Sequence, residues 1–167
     1  MVNKALINKG IGLLLIFSTI LLSCSKGEDS GEDQYYIRFK ADLTSIVFTD
    51  QPVLTTVCSK TGDQHECTFR GGDLTSRITI TVFDDNTISN GTYSDFRTEG
   101  GLNFGTLISY EDDSGTIFEQ RNGVTGTTVT ITESTATSIR GVFTGKVATM
   151  GTTMTISEGE FFVKRIN

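Results

Sequence analysis

TVTITESTATSIRGVFTGKVATMGTTMTISEGEFFVKRIN, Thr128 to Asn167, decides the fold class. Apolar residues alternate with threonine and charge through it, as in Val129-Thr-Ile131 and Met154-Thr-Ile156. A period of two is the mark of a strand with one buried face. The pattern predicts strands over Thr127 to Glu133, Ile139 to Val147 and Thr152 to Ile166, the last bent near Gly159. A short frame, Ile-Ser-x-Gly-x-aromatic, occurs at Ile156 to Phe161 and at Ile88 to Tyr93, with a shorter cousin at Ile139 to Phe143. Its glycine marks a turn or bulge that re-aims the chain before an inward aromatic. Ordinary β-patterning explains the echo as well as duplication does, so it defines no repeat domains.

The same alternation extends upstream. Tyr35 to Ala41 places Tyr35, Ile37 and Phe39 on one face and Arg38 and Lys40 on the other; Arg77 to Phe83 turns Ile78, Ile80 and Val82 inward. Val53 to Lys60 and Glu66 to Arg70 read as a hairpin around the loop Ser59 to Glu66. Gly91 to Phe96, Asn103 to Glu111 and Thr116 to Gln120 complete the strands. Turn signals separate them: Gly71-Gly72, Asp84-Asp85-Asn86, Gly100-Gly101, Glu111 to Gly115, and Asn122-Gly123 as a tight type I′ reversal. No window after residue 34 sustains a helical period. The expected class is all-β, an antiparallel sandwich or barrel of about eight to ten short strands.

The first 34 residues are built differently. Met1 to Gly10 carries Lys4 and Lys9 without an acid, and the apolar run Ile11 to Leu22 follows. That is a secretory signal pattern, shorter than the roughly 18 to 20 apolar residues a membrane-spanning helix needs. Leu21-Leu22-Ser23-Cys24 resembles the bacterial lipobox, and the resemblance implies removal of residues 1–23 and lipidation of Cys24. Residues 24–34 then form a lipidated cysteine and an acidic tether, Ser25 to Gln34 having no apolar residue to bury. Lysine and acids directly after the cysteine are similar to surface-export signals of Bacteroidota lipoproteins, although a solvated linker has the same composition. The C-terminal stretch also looks like the end of a family of small Bacteroidota lipoproteins of uncharacterised function. That resemblance implies an all-β surface or periplasmic lipoprotein and transfers no active residues; together with the export-like run it gives, for a single all-β domain at 35–167, an expected outer-membrane location, the cell surface ahead of the periplasmic face.

Loss of the two signal lysines leaves 12 basic residues against 20 acidic ones. Such a chain repels phosphate backbones, so nucleic acid is not an expected partner. About 130 residues suffice for one domain with one core.

Few residues suggest chemistry. Cys58 and Cys67 enclose SKTGDQHE and, in an exported protein, are expected to form a disulfide. The alternative is a metal held by Cys58, His65 and Cys67 with Asp63 or Glu66, but the spacing departs from the usual zinc pairs. His65, placed by this reading at a loop tip, lacks a recognisable nucleophile frame. Asp84, Asp85, Glu111, Asp112, Asp113, Glu158 and Glu160 are explained by turns, without a spacing that marks a glycosidase pair or a calcium loop. There is no tryptophan, and Tyr36 is the best candidate for an exposed ring that meets a glycan. The expectation is a non-enzymatic, lipid-anchored binding or structural module without a cofactor. Its partners are the membrane, through Cys24, and a surface protein or glycan. A small-ligand carrier barrel and an unrecognised hydrolase are the alternatives.

Overall fold

The computed structural model describes residues 34–49, 54–120 and 125–166. The signal segment, Cys24 and most of the tether lie outside them, as do Pro52 and the Asn122-Gly123 reversal. Twelve strands follow one another: β1 (Tyr36–Ala41), β2 (Thr44–Thr49), β3 (Thr55–Thr61), β4 (Gln64–Gly72), β5 (Arg77–Asp84), β6 (Gly91–Ser94), β7 (Arg97–Glu99), β8 (Leu102–Glu111), β9 (Ile117–Glu119), β10 (Thr128–Ser134), β11 (Ser138–Thr149) and β12 (Thr152–Ile166). The chain is all-β, with more strands than the sequence suggests and two of them long.

Seven strands pair in a closed ring, β12-β3-β4-β5-β8-β9-β11 and back to β12. Three additions leave it: β1 and β2 continue from β12, β10 and β6 continue from β11, and the short β7 pairs with β8. The sheet is not purely antiparallel. β12 first pairs with β1 and then, at Lys164 to Ile166, takes up β3 in parallel. A fifteen-residue strand outlasts its six-residue partner, and its freed edge groups find β3 instead.

The frame that recurs in the sequence has a joint role in the core. Antiparallel pairing of β11 with β12 sets Gly141 opposite Phe161 and Phe143 opposite Gly159. A Cβ on Gly141 would come within 2.4 Å of the Phe161 ring, and one on Gly159 within 2.7 Å of the Phe143 ring. Each ring thus lies over the glycine across from it, a packing only a bare Cα allows. β12 also bulges at Ser157–Glu158, since Phe143 pairs with Gly159 but Gly145 with Ile156. Glu158 takes a positive φ of 51° there, so the expected bend near Gly159 is real.

The interior is aromatic. Phe69 stacks on Phe161 at 4.7 Å, Phe39 meets Tyr110 edge-on at 5.4 Å, and Phe143 lies 5.9 Å from Phe39. Ile37, Ile78, Ile80, Val82, Val129 and Val163 are fully buried around them.

Candidate functional surface

Cys58 and Cys67 lie directly opposite each other on β3 and β4, with sulfurs at bonding distance, 2.05 Å, and Cα atoms 4.1 Å apart. Their hairpin is tighter than the eight-residue loop read from sequence. Thr61 pairs with Gln64, and only Gly62 and Asp63 form the turn, Gly62 at φ +60°. His65 is therefore not a loop tip. It is half-buried on β4 between Lys60 and Asp84. With Lys60, Arg165, Ile88 and the disulfide it lines an open cleft of about 180 Å³. Among the described residues no three histidines, cysteines or carboxylates gather as a metal site.

Of the carboxylates singled out by composition, Asp84 and Asp112 close turns, whereas Glu111, Glu158 and Glu160 lie on strands and pair with cations. Asp84 accepts from the Asn86 backbone N–H at 2.9 Å, and Asp112 accepts from the Ser114 and Thr116 N–H groups, each at 2.9 Å. These are side-chain-closed turns. The Ser114 hydroxyl and the Thr116 N–H hold the Asp112 carboxyl below its ordinary range. Glu160 pairs with Arg38 at 2.5 Å, Glu158 with Lys40 at 2.7 Å, and Glu111 with Arg77 at 2.5 Å. Asp73, which composition does not single out, closes the β4–β5 turn by accepting from the Thr75 and Ser76 N–H groups, and these bonds lower its pKa as well. Gly71 and Gly72 are not that turn. They end β4, and Gly71 leaves room for Ile37, Leu54 and Phe48.

Two features have no clear sequence signal. The Gln64 amide donates to the carbonyls of Asp84 and Asn103, and its oxygen accepts from the Asn103 N–H at 2.6 Å. One side chain thereby ties β4, β5 and β8 together. The second is a set of apolar tips. Strand register brings the turns β1–β2, β4–β5 and β11–β12 and the start of β9 to one end of the ring. There Leu43, Leu74 and Met150 are exposed at 96%, 104% and 85%, with Ile117 half exposed beside them. Asp42, Asp73, Asp112 and Asp113 share these turns. Beneath them the Tyr110 phenol is pushed up by burial first and by the carboxylates of Asp112, Asp113 and Asp73 second. β1 runs toward this end.

Tyr36 is less open than its position in the alternation suggests. The Arg38 guanidinium sits 5.1 Å from its ring centre, and Phe162 meets it edge-on at 6.4 Å. No helix among the described residues is long and apolar enough to cross a membrane. A scan of protein-family models and searches of curated proteins and of solved structures find no match to the chain.

Proposed function

We propose that the chain is an outer-membrane lipoprotein, anchored through Cys24 and displayed at the cell surface, whose β-domain is a non-enzymatic binding or structural module. The observation that carries the module reading is the cluster of buried aromatic rings in the core. Phe39, Phe69, Tyr110, Phe143 and Phe161 occupy the space a carrier would keep for its ligand. What remains for recognition is outer surface, and the end with the Leu43, Leu74 and Met150 tips gathers strongly exposed apolar side chains. Two solvent-facing leucines and a methionine, on three separate turns, contribute nothing to the core, which suits contact with a partner.

The anchor rests on the lipobox-like Leu21-Leu22-Ser23-Cys24. Several acyl chains at about 0.8 kcal/mol per buried CH₂ hold a protein where one chain does not. In cell fractionation the wild-type chain stays with membranes and enters the detergent phase, and Cys24→Ala moves to the soluble fraction. Unchanged membrane partition of Cys24→Ala would remove the anchor. An apolar fluorescent probe titrated against the folded protein gives no saturable binding on this reading; one-to-one saturable binding would restore the carrier.

A further inference from the structure

The last strand of the β1 branch is open on one side. Among the described residues β2 pairs only with β1. The two-residue turn Asp42–Leu43 makes Ala41 and Thr44 the bonded closing pair, so Phe39–Ile46 and Ile37–Phe48 are bonded pairs too. The N–H and C=O groups of Ser45, Val47 and Thr49 therefore point away from β1, along the free edge. Edge strands are normally blunted by a lysine, a proline, a bulge or an inward charge. β2, Thr-Ser-Ile-Val-Phe-Thr, has none of these, and its register with β1 is unbroken. Its outward face shows Val47 at 60% exposure.

We infer that β2 pairs antiparallel with β2 of a second copy of this chain, about a two-fold axis at Val47. In that register Val47 meets Val47 of the other copy and Ser45 meets its Thr49, so all three outward N–H and C=O pairs are satisfied on both chains. The interface is isologous and closes as a dimer. No charge on β2 opposes it, and the neighbouring charges are already neutralised, Arg38 by Glu160 and Lys40 by Glu158. An unrelated peptide would need a charge or pocket beside the edge to give specificity. The groove next to β2, about 270 Å³, instead runs back over those two ion pairs. One strand pair buries less than the ~1,200 Å² of a standard interface, so the dimer is weak in dilute solution. Confinement at a membrane raises its effective concentration. The pairing itself does not depend on the anchor.

The test is oxidative cross-linking of the purified full-length chain in detergent, with wild type as control for Cys24. Val47→Cys brings two cysteines to Cα atoms about 5.5 Å apart, within disulfide reach. Ser45→Cys leaves its copies about 14 Å apart, four residues out of register. Val47→Cys should give roughly ten-fold more disulfide-linked dimer than Ser45→Cys, whose separation exceeds the bridging limit. Ser45→Cys combined with Thr49→Cys should recover the dimer. Val47→Lys, at an exposed position, should retain the β-sheet circular dichroism and sediment as monomer at concentrations where wild type dimerises. Equal cross-linking at 45 and 47, wild-type monomer at every concentration, or a Val47→Lys dimer would overturn the pairing. The anchor is read separately, by partition of Cys24→Ala, so either inference fails alone.

Discussion

At the scale of single residues, two glycines of the β11–β12 pair are held tightly by the rings across from them. Gly141→Ala puts a methyl 2.4 Å from both the Phe161 ring and the Thr130 carbonyl oxygen. Gly159→Ala meets the Phe143 carbonyl oxygen at 2.4 Å as well as its ring. Overpacking of this kind costs about 1–3 kcal/mol, read as a lower urea midpoint at unchanged slope. Shaving the ring with Phe161→Leu should only partly rescue Gly141→Ala, because the carbonyl stays. Full rescue would show that the ring alone needs the glycine. The Cys58–Cys67 bridge closes a chain segment with a sequence separation of nine. Replacing both cysteines by serine should cost about 2–3 kcal/mol, and a thiol assay on the unreduced protein should find both unreactive. Asp73 and Asp112 give a pH dependence. Their folded pKa values lie below the ordinary 3.8, so their contribution is present above that value and is lost as pH falls through the lower, folded one. Thermal melts should show wild type losing stability on acidification. Asp112→Asn, whose oxygen still accepts from the turn N–H groups, should lose less; equal slopes would mean that Asp112 does not link folding to protons.

At the scale of elements, alternation was a good guide wherever one face is buried and the other wet. β5 is the plainest case, with Ile78, Ile80 and Val82 all inward and fully buried. β2 was missed because only Phe48 is deeply buried in it and Val47 points to solvent, so its six residues show little contrast. The disulfide pair was legible from the two cysteines flanking a hairpin, but the tightness of that hairpin was not. Lys60, Thr61, Gln64 and His65 are polar residues that turn propensity assigns to a loop, whereas pairing of β4 with β5 as well as β3 keeps them in strand. Gly71-Gly72 misled in the opposite direction: its small size serves packing under Ile37 and Phe48, and Asp73 makes the turn that follows. The Ile-Ser-x-Gly-x-aromatic echo was visible as a pattern. Its meaning, a glycine of one strand beneath the ring of the next, depends on register that no single strand contains.

At the scale of the whole molecule, closure of the ring follows from partners far apart in sequence, β3 with β12 and β8 through β9 with β11. Local patterning carries the class and the inward residues, and the long-range pairings that separate a barrel from a sandwich lie beyond it. The same holds for the candidate surface. Leu43, Leu74 and Met150 each look ordinary alone, and they become one apolar end only when the register assembles them. The proposed lipidation of Cys24 is the reverse case, resting on four neighbouring residues and independent of the domain that follows. We propose this cysteine as the mature, lipidated N-terminus of a displayed β-module. Mass spectrometry of the N-terminal peptide of the protein purified from its own membranes tests it most directly. The prediction is a peptide that begins at Cys24 and carries diacylglycerol on sulfur and an acyl chain on nitrogen; an N-terminus elsewhere, or an unmodified Cys24, would contradict it.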